Sequence, residues 1–432
     1  MELIPLWALI PFALMLLTIA LGPIFMEHWW ESNKNKLIVS LALGIPTAIY
    51  LIMNGMWHNL EHQLLFDYIP FIILLGALFV VTGGIHIGGN IAAKPVVNTA
   101  ILSIGYVLAS IMGTTGAAML LIRPLIETNK ERKHKVHTIL FFIATVANCG
   151  GLLTPLGDPP LFLLYLKGAP FTWFMNMWPE WLLTGGLLLL VYFIVDTYFY
   201  KKEDPADIAL DNNNKQSISI TGNINFLYLI GIVCAVAFIN AGTIPAMGAH
   251  DAPLNMKFLR EIVLVMIIAA SWFTTKKQIR VDNNYSWGPI LEVAALFLGI
   301  FATMTPALMY LQQNAASLGL TEPWQFVYAT GALSSFLDNA PTALSFHSVA
   351  QGLYPVALPE FVAGIPEELL KAISMGAVFF GAMTYIGNGP NFMVKAIAEQ
   401  NKIEMPSFFG YMIKFSLIVL LPIYIITQLI FL

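Results

Sequence analysis

The chain has 432 residues, 58% of them hydrophobic and only 11% charged, with a formal net charge of -4. Soluble domains carry about 25% charge, and a single core stops growing well before it hides this much apolar surface, so the solvent for that surface is lipid. No basic patch is interleaved with aromatics, which excludes a nucleic-acid footprint. Cys149 and Cys234 lie in apolar segments without metal-ligand spacing and read as inert core residues. There is no Walker A loop to couple ATP and no nucleophile–base constellation, so the reading is not an enzyme and has no cofactor.

Apolar segments run in chain order over 3–25, 37–57, 68–92, 98–122, 138–166, 181–200, 224–240, 258–274, 289–310, 326–353, 371–398 and 407–431. About 20 helical residues cross a hydrocarbon core, so this is an all-α polytopic membrane protein and not a barrel of alternating strands. The opening MELIPLWALIPFALML lacks a basic n-region and a cleavage site and reads as a retained first span. Residues 1–66 form N-terminal helices, 67–200 a first repeat, 201–223 a polar linker, 224–288 connecting helices and 289–432 a second repeat.

Lysine and arginine in short loops mark the cytoplasmic side. Lys34/Lys36, Lys130/Arg132/Lys133/Lys135, Lys201/Lys202 and Lys276/Lys277/Arg280 are such loops; the acidic loop 354–368, with Glu360, Glu367 and Glu368, is placed outside. Lys94 and the loop 130–135 both want the cytoplasm, yet only segment 98–122 separates them. A re-entrant hairpin resolves this, with Gly113-Thr114-Thr115-Gly116 at its tip. Segment 326–353 is the mirror case, with Asp338-Asn339-Ala340-Pro341-Thr342 at its tip. About ten spans and two opposed hairpins follow, in what reads as a bacterial inner membrane.

A broken helix follows each hairpin. Thr154-Pro155-Leu156-Gly157-Asp158-Pro159-Pro160-Leu161-Phe162 in 138–166 aligns with Thr384-Tyr385-Ile386-Gly387-Asn388-Gly389-Pro390-Asn391-Phe392 in 371–398 at an offset of 230 residues, and the hairpin tips align at 225. Paired interrupted helices in two inverted repeats point to the substrate site of a secondary transporter. A break frees carbonyls at one half-end and N–H groups at the other. Carbonyls with Asn, Thr and Asp oxygens can replace the water around a hard cation such as Na+, while the N–H ends can hold an anion.

Two carboxylates stand out, Asp158 in the first break and Asp338 at the second tip. An acid inside a span costs at least about 2.5–3.5 kcal/mol on insertion scales and is usually functional; the plainer reading is a cap on a half-helix. Both are assigned to Na+ binding. The neutral candidates are Asn148, Asn339, Asn388, Asn391, Thr114, Thr115, Thr154, Thr342 and Thr384. His86, in the glycine-rich stretch 83–90, reads as a further break and a pH-sensing candidate. Glu292 is expected to snorkel, Arg123 to anchor the first hairpin, and Asp67 and Asp196 to lie at the interface.

At these motifs the chain resembles the ion transporter superfamily of arsenite pumps, citrate and dicarboxylate carriers and sodium/proton antiporters of the NhaD type. Ala147-Asn148-Cys149-Gly150-Gly151-Leu152-Leu153-Thr154-Pro155-Leu156-Gly157-Asp158 is similar to the antiporters' ANAGGAWTPIGD stretch, and Leu333-Ser334-Ser335-Phe336-Leu337-Asp338-Asn339-Ala340-Pro341 to their LSxxxDNxP hairpin. The first tip departs from both subfamilies, carrying neither the antiporters' acid nor the dicarboxylate carriers' Ser-Asn-Thr. The resemblance implies sodium/proton antiport with alternating access, or sodium-coupled symport of citrate or a related organic anion, in a homodimer.

Overall fold

The computed structural model describes residues 3–249, 251–356 and 358–432. Ala357, in the loop expected on the outside, and the first two residues of the N-terminal helices lie outside the described residues. The protein is an all-α polytopic membrane protein. Among the described residues eight helices are long and apolar enough to cross a membrane. The helix Ile224–Phe238 is shorter and apolar.

The expected hairpins form. In the first, helices Pro95–Met112 and Thr114–Thr128 meet at Gly113, whose φ of 81° lies where only glycine is unstrained. In the second, Pro323–Phe336 and Asn339–Leu353 meet at Leu337-Asp338. The expected breaks form as well. The first separates Val136–Thr145 from Pro159–Leu166 around a 3-10 turn, Cys149–Leu153. The second separates Glu367–Phe380 from Gly389–Gln400 around Gly381–Met383.

The hairpins enter from opposite ends. The feet of the first are bonded to each other, Asn98 Nδ2 to Asn129 Oδ1 at 2.8 Å, and to the linker, Ala93 N to Asp211 at 2.9 Å. The foot of the second abuts the end of helix Gly288–Gln313, where a Cβ on Gly352 would lie 2.1 Å from the Gln312 carbonyl. The start of that helix follows Asn283, which bonds the Gly83 and Ile85 carbonyls beside the linker ribbon. At 1.5 Å per residue the 26-residue helix spans about 39 Å, so the two sets of feet are a membrane thickness apart.

Several local expectations are corrected. The glycine-rich stretch after the third span is not a break inside the membrane. The helix ends at Thr82, and His86–Asn90 pairs as an antiparallel strand with Gln216–Thr221 of the linker. The helix stops because Arg280 and Asn225 take the Val80 and Gly84 carbonyls and Asn283 takes those of Gly83 and Ile85. The linker is therefore ordered, with a further helix at Pro205–Asn213. Cys234 is exposed and not in a core. Glu292 does not simply snorkel, since it pairs at 2.7 Å with buried Lys36. Asp67 and Asp196 are buried within the protein, Asp67 paired with Lys167 at 2.6 Å and Asp196 with Arg132 at 2.7 Å. Long basic side chains reach inward to acids that hydropathy alone assigns to the surface.

Candidate functional site

Asp158 closes the first break in extended conformation, with φ -144° and ψ 144°, immediately before Pro159–Leu166. It does not cap that helix. Its side chain is 1% exposed and accepts three neutral hydrogen bonds. Oδ1 receives Thr114 Oγ1 at 2.8 Å and Asn388 Nδ2 at 3.0 Å; Oδ2 receives Asn339 Nδ2 at 2.5 Å. Thr114 and Asn339 are the first residues of the second arm in each hairpin, and Asn388 is the repeat counterpart of Asp158 itself. Both hairpin tips and both breaks therefore meet at one carboxylate.

The first tip meets its own break: Thr114 N also donates to the Gly157 carbonyl at 2.8 Å. The second hairpin does so through its first arm, where Thr384 Oγ1 donates to the Ser335 carbonyl, while its tip crosses to the other repeat. The repeat is visible bond for bond. Thr154 Oγ1 donates to the Ser110 carbonyl, Leu156 N to Thr154 Oγ1 at 3.2 Å, and Ile386 N to Thr384 Oγ1 at 3.2 Å. Thr154 and Thr384 thus bind arms to breaks.

The breaks are held by glycine pairs. A Cβ on Gly157 would lie 2.0 Å from the Gly151 carbonyl, and one on Gly387 2.6 Å from the Gly381 carbonyl, so only glycine lets the strands of each break touch. The freed carbonyls do not all stand open, as a cation cage built from them would need. Asn148 Nδ2 takes the Ile143 carbonyl at 2.8 Å; Asn391 Nδ2 takes those of Gly381 and Thr384 at 2.8 and 2.9 Å.

Asp338 behaves as the plainer reading had it. It caps Asn339–Leu353 by accepting from Ala340 N at 3.0 Å, is partly exposed, and stands outside the hydrogen bonds around Asp158. Thr342 donates to the Asp338 carbonyl one turn back at 2.9 Å. Asn339 is fully buried and, among the described residues, its Oδ1 has no partner. Thr115 is half-buried and, with Gly113, Thr114, Gly157 and Pro159, lines a cavity of about 80 Å³ whose other walls include Leu75, Leu78, Phe79, Ile290 and Val293. His86 lies away from this centre, in the ribbon, with Nδ1 2.8 Å from Asn283 Oδ1. Arg123 lies in the second arm of the first hairpin, half-buried.

Sequence reasoning missed Ser110 and Ser335, which carry the arm-to-break bonds; they align at the same 225-residue offset as the tips, and that offset would have found them. It also missed the buried cluster at the first hairpin's feet, where Asp196 meets Arg132 and His137 each at 2.7 Å and Glu203 meets Arg132 at 3.4 Å.

Two hairpins and two broken helices thus converge on one ionisable group. The whole chain, residues 1–432, matches the protein family described as "Putative citrate transport". The chain belongs to this family. It is accordingly a transporter of the citrate and ion transporter type, a secondary transporter and an integral multi-pass membrane protein. No curated protein sequence matches it. The irregular backbone of both breaks is buried in protein, the condition under which it is tolerated at membrane depth.

Proposed function

We propose that the protein exchanges Na+ for H+, with Asp158 as the group the two ions share. One observation carries this reading: a buried carboxylate accepts three hydrogen bonds from neutral groups, and among the described residues no basic side chain is bonded to it. Neutral donors orient such a group but leave its charge uncompensated, and a buried charge without a counter-charge is expensive. Na+ or a proton supplies the missing charge, and only one of them at a time. The buried Asn339 Oδ1, unpartnered at a cost of about 1–3 kcal/mol, is an oxygen a hard cation would satisfy. Because Asp158 holds both hairpin tips, its occupancy reaches both gates. Asp338 adds a second negative charge at the second tip.

The second reading is Na+-coupled uptake of citrate or another organic anion. It is supported by the description of the family, and a cavity lies beside the first tip. The half-helix N-termini at Thr114 and Asn339 would then face carboxylates.

Transport in proteoliposomes separates the two. An imposed Na+ gradient should drive an opposite proton movement, read by an internal pH dye, with no citrate present, and Asp158→Asn should abolish it. A silent dye together with Na+-dependent uptake of labelled citrate overturns exchange in favour of symport.

A further inference from the structure

Asn148 and Asn391 are candidates for direct contact with the ion by sequence, but their hydrogen-bonding groups are spent inside the protein, and the order in which they are spent carries a direction. The Gly381 and Thr384 carbonyls can only accept, so they fix the NH2 of Asn391 toward themselves, at 2.8 and 2.9 Å. Asn391 Oδ1 is thereby the end that receives Asn148 Nδ2, at 2.7 Å. The second hydrogen of Asn148 Nδ2 goes to the Ile143 carbonyl at 2.8 Å, which leaves Asn148 Oδ1 to accept from Asn388 Nδ2 at 3.1 Å. Asn388 Nδ2 also faces the Ala147 carbonyl at 3.2 Å, and the same nitrogen donates to Asp158 at 3.0 Å. All three amides are buried.

We infer that Asn391 and Asn148 are positioning residues, an amide relay that takes its orientation from the backbone carbonyls freed by the two breaks and holds Asn388 as a donor to Asp158. An isolated Asn388 could present either end of its amide to the carboxylate. With the carbonyl turned inward it would favour the protonated acid, since a carboxylic O–H donates to a carbonyl while a carboxylate repels it. The relay removes that choice and so biases the site toward Na+ over H+. Each repeat supplies a different part of the relay. The counterpart of Asn148 in the second repeat is Val378, and that of Asn391 in the first is Leu161, so the relay exists only where the repeats face each other. Gly381 makes room for it, since a Cβ there would lie 2.9 Å from Asn148 Oδ1.

This inference rests on the reading of Asp158 as the shared cation site. The test uses full-length protein carrying Asn391→Leu, Asn148→Val, Asn388→Ala and the pair Asn388→Ala/Asn391→Leu. Thr427→Val serves as a control that removes a buried hydroxyl pair, Thr184 Oγ1 to Thr427 Oγ1 at 2.9 Å, far along the chain from the relay. Each relay variant should raise the apparent KM for Na+ about tenfold at neutral pH, the scale of one charged hydrogen bond. The maximal rate at saturating Na+ should survive, and the KM should recover at alkaline pH, where protons no longer compete. The double variant should be no worse than Asn388→Ala, and Thr427→Val should leave the KM alone. Relay variants that lose rate or yield with an unchanged KM, or Asn388→Ala and Asn391→Leu effects that multiply, overturn the relay. If Asn391→Leu does not fold, Asn148→Val interrupts the same chain at its middle. If the wild type moves no protons against Na+, the exchange reading fails by itself. The thermal-stability cycle between Asn388→Ala and Asn391→Leu still decides the relay: non-additive losses support it and additive losses overturn it.

Discussion

The side-chain amide of Asn339, at the tip of the second hairpin, donates to the Asp158 carboxylate in the break of the first repeat at 2.5 Å, across 181 residues of sequence. This bond makes one site out of two repeats. On its other oxygen Asp158 receives Thr114 from the first hairpin and Asn388 from the second break. A change at Asp158 is therefore felt by both hairpins at once.

Asp158→Asn should abolish Na+-dependent transport and lower stability by about 1–3 kcal/mol, because an amide offers one oxygen where three donors need partners. Its NH2 would face at least one of those donors. Transport assays and thermal melts of the purified variant check this; unchanged Na+ dependence would remove Asp158 from the site.

Asp338→Asn should behave differently. Asn caps a helix about as well as Asp, so the fold should hold with melting unchanged, while loss of one negative charge near the centre raises the KM for Na+. Asp338→Ala should in addition lose the cap to Ala340 N, at about 1 kcal/mol. Identical stabilities for Asn and Ala variants would show that the cap contributes nothing.

Gly157→Ala should prevent folding or cost more than the usual 1–3 kcal/mol of overpacking, since its Cβ would sit 2.0 Å from a backbone carbonyl that cannot retreat. Gly389→Ala, in the second break, meets nothing within 4 Å and should be neutral or slightly stabilising. Expression and melting of the two variants provide the comparison, and equal effects would sink the argument from backbone contact.

Arg132→Ala should destabilise by about 3–5 kcal/mol, because it leaves Asp196 and Glu203 buried without their shared cation. Adding Asp196→Asn should restore part of the loss. Denaturation of single and double variants reads this directly, and a harmless Arg132→Ala would mean that water reaches the cluster.

Cysteines placed singly at positions 94, 130 and 215, in a background lacking Cys149 and Cys234, should react with an impermeant maleimide from one side of the membrane, and one at 351 from the other. Positions 94 and 130 reacting from opposite sides would turn the first hairpin into a single span.

Composition and hydropathy determined by themselves that the chain lives in lipid, because 58% apolar residues with so few charges admit no other solvent. Charge placement determined the hairpins, since one apolar segment between Lys94 and Lys130 cannot cross the membrane an odd number of times. The 230-residue offset located the breaks and the residues Asp158 and Asn388, because a helix broken at membrane depth needs glycine, proline and polar side chains that are otherwise expelled from such segments.

What the sequence could not decide is which polar groups face one another. Asp158 and Asp338 look alike along the chain; folding surrounds the first with three neutral side-chain donors and sets the second as a helix cap. Asn148 and Asn391 look like ligands along the chain, which does not show that their amide nitrogens turn to the carbonyls of Ile143, Gly381 and Thr384. Nothing along the chain pairs Asp196 with Arg132; the fold does. Periodicity and hydropathy record how each residue partitions between water and lipid, a property of one segment at a time. Hydrogen bonds between segments depend on distance and direction across hundreds of residues, and those exist only once the two repeats have packed against each other.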